Sequence, residues 1–249
     1  MNVTWNIDEH DITKLNDFVA KHKNHFVERV IERNVNRINI RTDKDSILEK
    51  IIMCLITSQQ PSGPNSTVGI FLNLKPFPLT YETVLKSENV EELIKQTMQQ
   101  NKLNRFINRI PVYFNYNFQH LETTNWEMFS DIETKLSGQH TKQLERTFAD
   151  NIADTFKGFG AKQSRNFLQA LGLTKYEIPI DSRITTWLND FGFPVKLSPT
   201  ALQDKAYYHF VSDGFQTLCV RAGVLPCVLD ATIFSSFDNG QWTKENNPY

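Results

Sequence analysis

Cysteine is scarce in this 249-residue chain, and Cys54, Cys219 and Cys227 are too few and too scattered for a disulfide framework. Each reads instead as a small hydrophobe of the core. No run approaches eighteen apolar residues, so no transmembrane helix and no membrane partner are expected. The first eleven residues lack the basic-then-apolar layout of a secretory leader, which places the expected site of action inside the cell. In such a chain the Asn2-Val3-Thr4 and Asn65-Ser66-Thr67 sequons are chance matches. An excess of positive charge is missing too: 27 basic residues stand against 28 acidic ones, a formal net charge of −1. That excludes a dedicated nucleic-acid packaging protein but leaves room for a local basic surface. His22 and His25 have a ligand-like spacing, yet no metal site is expected.

What is present is helical periodicity. Hydrophobic residues make up 40% of the chain and rarely alternate as they do in strands, so the fold class expected is all-α. Residues 11–36 read as one or two helices with Leu15, Phe18, Phe26 and Val30 inward. Arg29, Arg33, Arg37 and Arg41 recur every fourth residue there, as a DNA-facing stripe or a solvated helix face. Asp45 or Ser46 caps the next helix, which ends at Thr57-Ser58-Gln59-Gln60 before Pro61. Helices follow over 67–73 and 90–100, with Thr80 a capping residue between them. Another is expected over 102–118, kinked at Pro111, and a short one over 126–136. Beyond residue 181, helices are expected over 182–191, from Pro199 to 222, and over 231–237 behind an Asp230 cap.

One stretch organises the rest. A helix over 141–156 carries Leu144, Phe148, Ile152 and Phe156 at fourfold spacing, and Gly158 and Gly160 then flank Phe159. Glycines tolerate positive φ and admit a foreign backbone, so the pair fits a tight hairpin between helices. Residues 161–171 form the second helix, with Gly172 as its stop. Its first amides lack intrahelical partners and suit a phosphate.

Phe156-Lys-Gly-Phe-Gly-Ala-Lys162, followed by Ile178-Pro179-Ile180-Asp181, resembles the helix-hairpin-helix DNA glycosylase superfamily, in the bifunctional branch of the 8-oxoguanine DNA glycosylases. The resemblance implies two packed helical lobes with the active-site cleft between them. Residues 1–45 and 182–249 would form the terminal lobe, and 46–181 the central lobe containing the hairpin (about 141–172). Lys162 matches the family's nucleophilic lysine and Asp181 its indispensable aspartate, nineteen residues on. Gln59 and Gln60 match the glutamines whose loop enters the minor groove. The phosphate grip would come from Gly158 and Gly160, helped by Lys157 and Arg183. No cofactor is expected: some relatives carry a four-cysteine iron–sulfur loop, which three cysteines cannot supply.

The chemistry expected is excision of a damaged or modified base from double-stranded DNA by a monomer, 8-oxoguanine being the best single guess. Such an enzyme turns the target nucleotide out of the duplex. Lys162 would attack C1′, and the resulting Schiff base permits β-elimination. Asp181 would stabilise the cationic sugar, and the Lys162 amine calls for an apolar-walled site. Trp126, Tyr207, Phe234 and Trp242 are the aromatics that could stack on the base, each also a candidate for plain core. Asp230 could read a base edge or merely cap its helix. Another modified base, including bulky viral ones, is the alternative substrate. A non-catalytic DNA-binding module is the alternative from another class, against which the downstream carboxylate argues.

Overall fold

The computed structural model describes residues 4–38, 40–137, 140–238 and 241–245. The Asn2 sequon, Gly138 and most of the polar tail lie outside the described residues. Among those residues thirteen α-helices and no strands occur. In order they are α1 (Glu9–Lys21), α2 (His25–Val30), α3 (Lys44–Ile56), α4 (Thr67–Leu72), α5 (Tyr81–Leu85), α6 (Val90–Gln100) and α7 (Ile110–Thr123). Then come α8 (Glu127–Ser137), α9 (Lys142–Thr155), α10 (Ala161–Ala170), α11 (Ser182–Phe191), α12 (Lys205–Ala222) and α13 (Pro226–Ser236). A π-turn, Ile31–Val35, prolongs α2, and a 3-10 turn, Ala201–Gln203, precedes α12.

Short polar side chains start most of these helices. Asp8, Asn24, Asp43, Ser66, Thr80, Asn89, Thr141, Asp181 and Asp204 each accept a first-turn amide. Each satisfies a donor that the helix itself cannot. Four boundaries differ from the sequence reading. The cap of α3 is Asp43, not Asp45 or Ser46. Pro111 stands in the first turn of α7, where its missing N–H costs no hydrogen bond, and so starts a helix instead of kinking one. The helix expected from Pro199 begins at Lys205 behind the Asp204 cap. Asp230 lies in the middle of α13, whose start is set by Pro226.

Buried apolar side chains fall into three clusters. The largest draws on α3 to α10, from Ile47 to Leu173. A second joins Leu15 to Ile178, Ile180 and side chains of α11, α12 and α13. A third holds Phe26, Val27 and Val30 against Cys227, Ala231 and Trp242. The hairpin meets α12 through a buried charge network. Arg165 of α10, with no exposed surface, bonds Glu177 at 2.8 Å and Asp150 at 2.9 Å. Arg146 of α9 reaches Glu177 at 2.9 Å and Asp213 of α12 at 2.8 Å. Such a network fixes geometry, and removing a partner leaves Arg165 or Glu177, neither with exposed surface, short of a counter-charge.

Between α10 and α11 the chain has no regular structure, so side chains must hold it. Glu145 of α9, fully buried, accepts the consecutive amides of Lys175, Tyr176 and Glu177 at 2.9, 2.8 and 2.7 Å. The segment that follows leads directly into Asp181.

Candidate active site

A cavity of about 890 Å³ opens beside the hairpin. Its walls come from the turn after α3, the start of α10, the Pro179–Thr185 stretch and a face of α13. Lys162 stands in the first turn of α10 and Asp181 caps α11, and both line this space. Asp181 Oδ1 accepts the amides of Arg183 at 2.8 Å and Ile184 at 3.0 Å. Among the described residues no donor reaches its Oδ2, so one carboxylate oxygen holds the helix while the other remains available.

The two hairpin glycines do different work. Gly158 has φ +81°, and an added Cβ would lie 2.6 Å from both Leu55 and Tyr113 side-chain carbons. It is demanded by the chain's own packing. Gly160 has an ordinary φ of −122°, and no atom lies within 4 Å of where its Cβ would stand. Internal packing does not require that glycine. The bare backbone at the head of α10, beside unpaired amides, leaves room for an approaching anion.

Around Lys162 the wall carries side-chain amides beside apolar residues such as Ala161 and Ile180. Its Nζ lies 3.4 Å from Gln163 Oε1. Gln163 itself donates to the Cys54 carbonyl at 2.5 Å and Ser58 Oγ at 2.8 Å. Asn166 and Gln169 follow at helical spacing on the same face. That i, i+4, i+7 register after Lys162 is legible in the sequence. Cys54 sits beneath them, fully buried, and burial pushes its thiol up to about 12, so it packs rather than reacts.

Asp230 faces the same cavity from α13, nearly enclosed, and accepts Gln169 Nε2 at 2.7 Å. Burial pushes its carboxyl up to about 8, and the nearby charge of Asp181 adds to the shift. The Gln169 hydrogen bond and the charges of Lys162 and Arg183 oppose it. Its place in mid-helix rules out the capping role considered from the sequence.

The other predicted residues divide. Gln59 and Gln60 line the cavity, but differently. Gln60 turns back to the Ile56 carbonyl, closing the end of α3. Gln59 is exposed, adopts φ +56°, and is held by Arg105 at 2.8 Å. Left-handed backbone at a non-glycine residue is strained, and such strain gathers at functional loops. Arg105 and Arg109 both lie over the Phe106 ring, at 4.7 and 4.2 Å. Nothing in the sequence signalled the Arg105–Gln59 contact across 46 residues.

Arg183 lines the cavity but is committed to Asp238 at 2.8 Å and to the Phe234 carbonyl at 2.6 Å. Phe234 also lines it, with the Arg183 guanidinium 4.1 Å above its ring and Phe26 stacked at 5.1 Å. Those neighbours already occupy ring surface that a base would need. Three proposed stacking partners are not at the cavity. Trp126 packs in the central core, its indole N–H bonded to Glu122. Tyr207 stacks on Phe210, and Trp242 lies behind Phe234 with its N–H on Asp238. Lys157 too stands outside the cavity: its Nζ lies 5.2 Å from the Tyr116 ring centroid, and its amide donates to Asn117 at 2.8 Å. Residue type alone makes Trp126, Tyr207 and Trp242 candidates, and packing in local clusters takes them elsewhere. Among the described residues no group of three His, Cys, Asp or Glu side chains could hold a metal.

The whole-chain comparison is decisive for architecture. The 8-oxoguanine DNA glycosylase of Methanocaldococcus jannaschii superposes with a TM-score of 0.67 at 13% identity, covering 93% of this chain and 96% of that one. The fold is that of the 8-oxoguanine DNA glycosylases. The Thermotoga maritima enzyme of the same name gives 0.66 at 14% identity, over 92% of this chain and 96% of its own. A second structure of the M. jannaschii protein, an 8-oxoguanine glycosylase/lyase in complex with a 15mer DNA containing 8-oxoguanine, gives 0.63 at 14% identity. It covers 94% of this chain and 98% of that one. No protein-family model and no curated protein matches the sequence. Within this fold the hairpin, Lys162 and Asp181 lie at one cavity.

Proposed function

We propose that the protein is a DNA glycosylase with associated lyase activity, acting on a modified base turned out of duplex DNA. One observation carries the reading: Lys162 and Asp181, at the heads of two successive helices, line a single cavity. At about 890 Å³ its volume falls within the range of small-molecule sites and has room for a nucleotide. Hairpin amides at Gly160 and the head of α10 would take phosphate. Lys162 Nζ would attack C1′, the C1′–base bond would break, and the base would leave with its bonding electrons. Asp181 would supply fixed negative charge to the cationic sugar as that bond opens. The Lys162 nitrogen of the adduct would lose its proton as the C1′–O4′ bond opens, O4′ taking a proton to become a hydroxyl and C1′ becoming an imine. Loss of the acidified C2′ proton would then break the C3′–O bond and release the 3′ phosphate.

The amide wall offers edge recognition. Gln169 Oε1 is buried with no partner among the described residues, and Asp230 lies beside it. A flipped base meeting this pair would satisfy a polar group otherwise left wanting. We infer 8-oxoguanine as the first base to try, on the Lys–Asp spacing and on the named activity of the proteins that share the fold. Gln59, in the cavity wall and braced by Arg105, would enter the minor groove and fill the gap left by the flipped base.

Incubation with lesion-bearing duplexes and borohydride tests the reading. A covalent protein–DNA adduct is expected with wild type and none with Lys162→Gln. Absence of any adduct, on lesion or abasic DNA, would leave a phosphate-gripping module only.

A further inference from the structure

The carboxylate at the cavity is no better placed than the backbone that carries it. Ile178, Pro179 and Ile180 form an irregular approach to Asp181, outside any helix or strand. Glu145 holds the amides of residues 175–177, which leaves the last three positions to be fixed by something else. Tyr208 of α12 does this. Its hydroxyl donates to the Ile178 carbonyl at 2.9 Å and accepts the Ile180 amide at 2.7 Å. The two bonds straddle Pro179, which has no N–H to offer. Tyr208 thus takes the place of a neighbouring strand, one oxygen serving both backbone groups.

That oxygen is itself well fixed. The side chain has no exposed surface, and the Arg165 guanidinium lies 4.8 Å from the ring centroid. Burial drives the phenol far above its usual range, so the hydroxyl keeps its proton and its donor role. Arg165 belongs to the Glu177 and Asp150 network of the hairpin, the element that also carries Lys162. One rigid assembly therefore reaches both ends of the chemistry: α10 with the amine, and residues 178–180 with the carboxylate.

We propose that Tyr208 is a positioning residue for Asp181, setting where the free carboxylate oxygen points into the cavity. The inference rests on the glycosylase reading. A displacement of about 1 Å at a reacting centre can cost roughly a hundredfold in rate. Tyr208→Phe keeps the ring and its Arg165 contact and deletes only the oxygen.

Three quantities are compared in wild type and Tyr208→Phe: single-turnover base release, duplex affinity, and borohydride trapping on a pre-formed abasic site. A positioning role predicts base release slowed about ten- to a hundredfold. Affinity should stay within about twofold, and trapping by Lys162 should be largely kept, because an open-chain aldehyde needs no cationic sugar. If the variant does not fold, 3,5-difluorotyrosine at 208, which weakens acceptance from Ile180 without removing the oxygen, is put through the same assays and should slow base release several-fold. Base release unchanged, or base release and trapping lost together, overturns the role of Tyr208 while leaving the enzyme reading intact. A wild-type protein that neither releases a base nor is trapped overturns both.

Discussion

The Gln169 side-chain amide donates to Asp230 Oδ2 at 2.7 Å, while its own carbonyl oxygen is buried and meets no partner among the described residues. The pair thus offers the cavity an unused acceptor and a carboxyl whose proton is governed by burial. Each of these properties has a measurable consequence.

Burial raises the Asp230 carboxyl from 3.8 to about 8. The folded protein therefore keeps a proton that the unfolded chain loses above pH 4. This contribution to stability is complete below that value and disappears as pH rises through 8. The slope is at most roughly 1.4 kcal/mol per pH unit. Asp230→Asn, which keeps an acceptor for Gln169, should flatten it. Urea unfolding from pH 5 to 9 measures the difference, and parallel wild-type and variant curves would contradict the assignment.

Alanine at the two hairpin glycines should act on different quantities. At Gly158 it meets a left-handed φ and two side chains at 2.6 Å, so a loss of about 2–4 kcal/mol of stability is expected. At Gly160 the space is open, and thermal stability should hold while duplex affinity drops because the methyl occupies the anion's approach. Calorimetric melting and a filter-binding titration separate the two effects.

Asp181→Asn keeps an effective helix cap, since asparagine accepts the Arg183 and Ile184 amides equally well. Folding and duplex affinity should therefore change little. Base release should slow by about a hundredfold or more as the fixed charge disappears. Equal losses in binding and release would make the residue structural.

Glu177 accepts from Arg146, Arg165 and Gln216 with no exposed surface. Glu177→Gln leaves the buried Arg165 and the half-buried Arg146 guanidiniums short of a counter-charge and should cost about 3–5 kcal/mol. Equilibrium denaturation gives the value directly, and a change under 1 kcal/mol would mean that water or Asp150 and Asp213 take up the charge.

Much of the helical layout could be read from local chemistry because helices announce themselves locally. Thr141, Thr80 and Asp181 are short polar residues ahead of periodic apolar runs, and each is a cap. Where two local signals compete, the sequence is ambiguous. Pro111 fits a kink and a first turn equally well, and only the chain before it, turning from Lys102 to Arg109, favours the second. Asp230 reads as a cap until Pro226 is seen to begin the helix four residues earlier.

The base pocket was the least legible part. Aromatic type says that Trp126 or Trp242 could stack on a ligand, but not which neighbours have already covered it. Glu122 and Tyr81 hold the first, and Asp238 and Phe26 the second. Asn166 and Gln169, by contrast, follow Lys162 at a spacing that puts all three on one helix face.

The linear order of residues determined the hairpin, the lysine after its second glycine and the carboxylate at the next helix head, because turn, cap and register act over a few positions. Only the folded chain decided which groups share a cavity with them. Asp230 comes from 49 residues beyond Asp181, Arg105 reaches Gln59 from another helix junction, and Tyr208 grips the backbone on either side of Pro179. Contacts of that range are settled by packing and by the need of buried polar groups for partners, neither of which is written in any short stretch of sequence.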